Sequence, residues 1–474
     1  MNSNNITSIT AVFLLLVLTS FPSLAAGETK DDLSAQMDSL LTELYPAAGP
    51  GASILVVKEG KTILRKAYGM ANLELNVPLS SEMVFRIGSV TKQFTSAGIM
   101  KMVEQGKLKV SDSITEYLPE YPTHGHNITI ENLLTHTSGI KSYTDMGETM
   151  KEIVNEDLTV DELVASFKDA PMDFAPLSAY EYSNSGYALL GAIIEKISGK
   201  SYADYIQEEF FTPLGMTSSY YGSFTKIIPN RAMGYQVVEN GFLNAEYMSM
   251  RVPYSAGSIV STVDDLQRWT NALHSGKVVS EQSYQKMTTP FVLSTGKNAG
   301  SDESGQGYGY ALNVTDLKGH RKVGHSGGIP GFITMVQWID DEKLLVIVLS
   351  NTGNPVFSPA TIANQLSAIA MGQPFKQPKS IKVKSSILKE YTGEYTIEKY
   401  GAPLTVSYED AQLYVKVMGG IKKRIQPYTQ TSFFINNDLA RLSFSGGNKG
   451  KVTEVRLHQA EGSSDNELIA VRNK

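Results

Sequence analysis

The chain has 474 residues, a net charge of −6, 42% hydrophobic and 19% charged residues, and no cysteine. Its length allows about two to three domains with ample core, and the missing thiol excludes a disulfide framework, a thiolate nucleophile, an iron–sulfur cluster and a cysteine zinc site. The acidic balance argues against nucleic acid as the main partner.

From the N-terminus, Met1 to Gly27 carries no charged side chain. The apolar run Ala11–Leu18, followed by Pro22 and the small-residue site Ser23-Leu24-Ala25-Ala26, predicts a signal peptide over residues 1–26. Cleavage near Ala25-Ala26 would release a mature protein into a periplasm or outside the cell, without stable membrane insertion; the rival reading is an uncleaved anchor. Residues 27–372 then form the larger domain. Ala52–Val57 and Thr62–Ala67, joined through Gly60, predict a hairpin, and Gly331–Ile339 with Leu344–Leu349 predicts a second. Helical patterns lie between, over Val90–Glu104, Gly186–Ile197 and Val263–Leu273, and another runs from Pro359 to Ala370. Strands at both ends with helices in the middle imply one antiparallel sheet flanked by helices with a helical subdomain, an α+β layout.

Gly372-Gln-Pro374-Phe-Lys-Gln-Pro378 breaks both helix and central strand, and predicts a linker over residues 373–380. Beyond it, residues 381–474 change texture. Residues 376–474 carry +6 against −12 for the rest of the chain. Short β-rich runs over 393–397, 404–408, 413–417, 432–435, 441–444 and 452–457, separated by turn signals, predict a small antiparallel barrel or sandwich. Lys422-Lys-Arg424 within it reads as a solvated face.

Three constellations carry chemistry. Ser89-Val-Thr-Lys92 sets a hydroxyl and an amine three residues apart, on one face of a helix. A serine hydroxyl needs a base to become a nucleophile, and a lysine deprived of its proton by burial can supply one. Ser283…Lys286, Ser294…Lys297 and Ser386…Lys389 share the spacing, but Ser89 alone of the four opens a mostly apolar helix, stopped at Gly106, that would bury its lysine. Tyr182-Ser-Asn184 precedes the helix at Gly186, so a phenol can exchange protons beside an amide that holds a substrate carbonyl. Gly324-His-Ser-Gly-Gly328 supplies an imidazole, His325, able to donate to an anion or carbonyl, among glycines that let substrate reach the backbone. The same pentapeptide matches a nucleophile elbow with Ser326 as the nucleophile, yet a strand rather than a helix follows it, and the one later histidine is His458 in the other domain. His124 and His126 lack zinc-ligand spacing, so no metal is expected.

Ser89-x-x-Lys92, Tyr182-x-Asn184 and His325-Ser-Gly327 resemble, in order and rough spacing, the serine β-lactamase and penicillin-binding protein superfamily. The likeness is to its class C β-lactamase-like branch of D-Ala-D-Ala carboxypeptidases and esterases. Phe85–Lys92, Leu133-Leu-Thr-His-Thr-Ser-Gly139 and Ala256–Leu266 are similar as well, and the likeness spans about residues 45–370. It implies a β-lactamase/transpeptidase-like fold and an acyl-enzyme. Ser89 would attack, Lys92 and Tyr182 would share base and acid roles, and Asn184, His325, Ser326 and Gly327 would hold substrate. The backbone N–H groups of Ser89 and Gly328 would form the oxyanion hole. True β-lactamases begin the third motif with lysine, so His325 points instead to D-amino-acid peptides, possible peptidoglycan-derived fragments, or small esters. The C-terminal part resembles a lipocalin-like barrel. Neither cofactor nor nucleic acid is implied, and a homo-oligomer is compatible. Two alternatives stand: a penicillin-binding sensor or weak β-lactamase with slow deacylation, and a non-catalytic ligand-binding protein.

Overall fold

The computed structural model describes residues 30–300, 306–446, 452–458 and 467–473. The expected signal peptide over residues 1–26 lies outside the described residues, and among those described no helix is long and apolar enough to cross a membrane. Helix α1 (Lys30–Leu44) leads into the hairpin of β1 (Ala52–Lys58) and β2 (Lys61–Tyr68). Glu59 and Gly60 close its turn at φ of +52° and +76°, the left-handed pair that a two-residue turn of this hand requires. The middle of the chain supplies α2 (Thr91–Glu104), α3 (Asn184–Ser198) and α4 (Val263–His274), with shorter helices between. The sheet resumes with β3 (Gly307–Tyr308), β4 (Asn313–Leu317), β5 (His320–Ile329), β6 (Phe332–Ile339) and β7 (Leu344–Ser350), before α5 (Pro359–Ala370).

The sheet runs β3-β4-β5-β6-β7-β1-β2 and every neighbour is antiparallel. Ala52 of β1 faces Ser350 of β7, so the two ends of the domain meet near the sheet's middle. On one face α1 and α5 pack Met37, Leu41, Ile362 and Leu366 against Ile54, Val56 and Val348. On the other, the helical layer with Phe94 and Trp269 covers Leu55, Val57 and Leu349. Burial on both faces is why Ile54–Val57 reads as an unbroken apolar run and not as an alternation. Helix α2 threads the helical layer and is buried almost throughout, polar residues included. Its Phe94 ring stacks on Trp269 at 3.8 Å between centroids, and the Trp269 indole N–H donates to Gln93 Oε1 at 3.0 Å.

Residues 373–384 form no helix or strand, and the helix Ser385–Glu390 introduces a closed barrel. Its strands are β8 (Gly393–Ile397), β9 (Ala402–Glu409), β10 (Gln412–Val417), β11 (Lys423–Pro427), β12 (Ser432–Phe434), β13 (Arg441–Gly446), β14 (Val452–His458) and β15 (Glu467–Arg472). Each strand pairs with the next, and β15 returns to β8 with Arg472 opposite Tyr395. Inward residues alternate along the strands, as Leu404 and Val406 or Leu413 and Val415 do, giving the barrel a core of its own.

Two strands depart from what the sequence led one to expect. β11 begins inside the Lys422–Arg424 run expected to be a solvated face, and of that run Arg424 is exposed. Lys423 instead pairs with Asp438 at 3.1 Å and lies over the Phe357 ring, which packs against both the barrel and the larger domain. β5, which no pattern announced, extends over residues 320–329.

Candidate active site

Ser89 sits in a 3₁₀ turn, Gly88–Val90, that runs directly into α2. Three hydrogen bonds pin this turn. Ile87 N–H donates to Ile259 O at 3.1 Å, Ile259 N–H donates to Thr91 Oγ1 at 3.1 Å, and Thr334 Oγ1 on β6 donates to Ile87 O at 3.0 Å. Gly88 has φ of +52°, and a Cβ there would meet Gly328 N at 2.8 Å, so the turn lies pressed on β5. Gly327 makes the same contact from the other side: a Cβ on it would stand 1.9 Å from Ile87 O. Glycine at both positions allows an approach that any larger residue would prevent.

Lys92 lies one turn along and is fully buried. Its Nζ reaches Asn184 Oδ1 at 2.7 Å, Ala256 O at 3.0 Å and Ser89 Oγ at 3.3 Å. Burial holds its pKa well below the ordinary lysine value, and a place at the start of a helix also disfavours a cation. A neutral amine has two N–H donors and one lone pair. Two of its neighbours here, an amide oxygen and a peptide carbonyl, can only accept. They take both N–H groups, which leaves the lone pair for the Ser89 hydroxyl.

Tyr182 and Asn184 flank Ser183, whose Oγ caps α3 by accepting from Gly186 N–H at 3.2 Å. Because Ser183 is the cap, Asn184 is free to hold Lys92 with its oxygen while its Nδ2 donates to Thr144 Oγ1 at 3.1 Å. The Tyr182 ring lies 4.7 Å from Lys92 Nζ. Its hydroxyl is buried without a hydrogen-bond partner of ordinary geometry. Burial pushes its pKa up, and the neighbouring Ser89 hydroxyl only tempers that rise. Amine and phenol are therefore both held neutral, one ready to take a proton and the other to give one.

The third motif occupies the middle of β5. β4 pairs with β5 from His320 to Gly324 and stops, so the edge from His325 onward is open toward Ser89. Ser326 is exposed there, mid-strand, with no strand-to-helix turn that would make it a nucleophile elbow. Ser89, Tyr182, His325, Ser326 and Gly328 share the lining of a cavity of about 280 Å³. Ser89, Asn184 and Gly328 also border a smaller one of about 90 Å³. A larger space of about 570 Å³ lies between β5, α5 and the barrel; it touches Ser326 and Asn313 but none of Ser89, Lys92 or Tyr182.

Two expectations for this motif change. Gly327 lines neither cavity beside Ser89; it is buried and serves the contact with Ile87. His325 edges the cleft, but the residue is 3% exposed and both ring nitrogens are engaged, Nε2 with the Tyr308 hydroxyl at 2.9 Å and Nδ1 with Ser326 O at 2.5 Å. No ring nitrogen is left to donate to a substrate. Tyr308 and, behind it, His136 escaped the sequence reading as functional candidates: Tyr308 stands between Gly307 and Gly309 in no motif, and His136 lay inside a segment noted only for its likeness. Among the described residues no group of three His, Asp or Glu side chains converges as metal ligands.

A family model described as beta-lactamase matches residues 38–369, and one described as a domain of unknown function (DUF3471) matches residues 377–472. The chain is 30% identical over 421 residues to penicillin-binding protein 4* of Bacillus subtilis (strain 168), which covers 83% of this chain and 90% of that protein. It is 26% identical over 369 residues to the D-aminopeptidase of Gluconobacter oxydans (strain 621H), covering 76% and 66%. Of solved structures, the octameric penicillin-binding protein homologue from Pyrococcus abyssi matches with a TM-score of 0.65 at 28% identity, over 93% of this chain and 100% of that one.

Proposed function

The chain belongs to the β-lactamase family and is a serine hydrolase, and from that premise we propose that it works through an acyl-enzyme on Ser89, formed from D-amino-acid peptides or amides or from small esters. The observation that carries this reading is the hydrogen-bond arithmetic at Lys92, whose spare lone pair faces the Ser89 hydroxyl. Lys92 takes the Oγ proton as Oγ attacks the substrate carbonyl. The oxyanion so formed lies toward the backbone N–H groups of Ser89 and Gly328 and the positive end of α2. As the tetrahedral centre collapses, the leaving amine or alkoxide takes a proton from Tyr182, which regains one from the Lys92 ammonium. Water then cleaves the ester with the same pair as base and acid.

An extended acyl group fits the open edge of β5, where backbone pairing can align it and the exposed Ser326 can meet it. The D-amino-acid preference is supported by the relative named a D-aminopeptidase. We further read the motif set as class C-like, the barrel as lipocalin-like, and residues 1–26 as an export signal. Assembly into a homo-oligomer is supported by the octameric relative.

The test is to treat the mature protein and Ser89→Ala with a fluorophosphonate and a fluorescent penicillin, beside a panel of D- and L-alanyl amides and p-nitrophenyl esters. Labelling lost with Ser89→Ala, and turnover reduced at least about 10⁴-fold, is expected. A wild type that neither labels nor turns over any substrate overturns the proposal. Stable labelling without turnover replaces it with a penicillin-binding sensor.

A further inference from the structure

Two buried imidazoles stand on either side of Tyr308, and the hydrogen bonds through the three rings run in a single direction. The series starts at a group that can only donate. Ser183 N–H points at His136 Nδ1 at 3.1 Å, so that nitrogen holds the lone pair and Nε2 of the neutral ring holds the proton. Nε2 lies 3.2 Å from the Tyr308 hydroxyl and donates to it. The phenol's one proton then goes to His325 Nε2 at 2.9 Å. His325 must carry its own proton on Nδ1, which donates to the Ser326 carbonyl. A second proton on His136 would set N–H against the Ser183 N–H. A second proton on His325 would set N–H against the Tyr308 O–H, whose oxygen accepts from His136 on its other side.

His136 also holds the loop that carries Tyr182. Glu181 N–H donates to His136 O at 3.1 Å and Ser183 N–H to its ring, so the N–H groups of the residues before and after Tyr182 end on one residue. A left-handed backbone, φ +58°, turns the carbonyl and ring of His136 to the same loop. The titratable groups around His136 are Lys92, Tyr180, Tyr182, Tyr187, Tyr308 and His325; those around His325 are Lys92, Tyr182 and Tyr308. None of them is an acid that would favour an imidazolium. Burial holds both imidazoles below the ordinary histidine range, His325 at about 4, and a proton on Lys92 would push them lower still.

We propose that His136 and Tyr308 are positioning residues that clamp His325 as a neutral imidazole and tie its tautomer to the Tyr182 loop. The third motif then offers substrate no cation. The site favours amides and esters that are uncharged beyond the scissile bond over those that end there in a carboxylate. This selectivity rests on the acyl-enzyme reading, whereas the clamp stands apart from it.

Protein labelled with ¹⁵N at histidine tests the clamp without turnover. In the wild type, His136 and His325 should remain neutral from about pH 5 to 8, His136 as the Nε2–H and His325 as the Nδ1–H tautomer. Tyr308→Phe keeps the ring and removes the shared hydroxyl, so His325 should lose its fixed tautomer and titrate within that range. In parallel, kcat/KM is compared for a D-amino-acid amide and for the matching dipeptide with a free carboxylate. Their ratio should not vary with pH in the wild type, and in Tyr308→Phe should shift about tenfold toward the dipeptide on acidification, the step between a neutral and a charge-assisted hydrogen bond. His136→Gln, which keeps an acceptor and a donor in its side chain, should restore the wild-type ratio where His136→Ala does not. A wild-type His325 that titrates above about pH 5, or a Tyr308→Phe variant with unchanged tautomer and ratio, overturns the proposal. A wild type without turnover defeats the acyl-enzyme reading and its selectivity, and the spectra still decide the clamp.

Discussion

Gly327→Ala isolates the contact that sets the nucleophile turn against β5. The added Cβ would meet Ile87 O at 1.9 Å, Thr334 Oγ1 at 2.5 Å and the Ile87 carbonyl carbon at 2.9 Å. Two of these three atoms are backbone, so no rotamer change relieves them, and a normal contact of about 3.2 Å requires a shift of more than about 1 Å. The Ser89 turn must move away from Gly328, and the Thr334–Ile87 hydrogen bond of 3.0 Å is lost. Overpacking and the lost bond together cost about 2–4 kcal/mol. Displacement of a nucleophile by about 1 Å costs roughly 10²-fold in rate. Gly328→Ala is the control for stability, since its nearest neighbour is the flexible Ile333 Cδ1 at 3.4 Å. The assay is the second-order rate of fluorophosphonate labelling at Ser89, with urea unfolding of both variants. Labelling of Gly327→Ala within about threefold of wild type, or unfolding at the same urea concentration as Gly328→Ala, would refute this role for the contact.

Lys92→Arg should abolish turnover, because a guanidinium stays protonated and offers no lone pair; steady-state kinetics from about pH 6 to 10 would reveal any rescue. Asn184→Asp places a carboxylate 2.7 Å from the amine, favours the ammonium, and should move the acidic limb of the kcat/KM profile to higher pH, with more than about tenfold loss at pH 7. Stability should fall as pH drops from about 6.5 toward 4, because His136, His274 and His325 are held below the unfolded value, so the unfolded chain binds protons first. Each imidazole contributes up to about 1.4 kcal/mol per pH unit in that window, and the loss for His325 ends near its folded value of about 4. Urea midpoints that stay level from pH 6.5 to 4 would refute this assignment.

The hairpin through Gly60, the helices and the terminal sheet strands were legible because period and turn chemistry agree there. Ser89 and Lys92 were legible because residues three apart at a helix start face one another whatever the rest of the chain does, and Tyr182 and Asn184 because they flank the residue that caps the next long helix. β5 was not, since Gly324, Gly327 and Gly328 are poor strand formers, the first two kept for the close approach of Val336 and Ile87. β11 was missed because Lys423 finds its partner, Asp438, fifteen residues on, in a fold that local charge cannot announce. Tyr308 and His136 meet across 172 residues of chain, and no short motif encodes such a meeting.

The register between β1 and β7 has a consequence for biosynthesis. Ala52 leaves the ribosome almost 300 residues before Ser350, the residue it faces. At about 5–20 residues per second, the hairpin of β1 and β2 waits roughly 15–60 s for its neighbour, with an apolar edge open to any passing strand. Ser89 and Lys92 likewise emerge well before β5. The nascent chain thus carries the parts of a nucleophile but not the strand it rests on, and activity cannot begin until nearly the whole larger domain has been made.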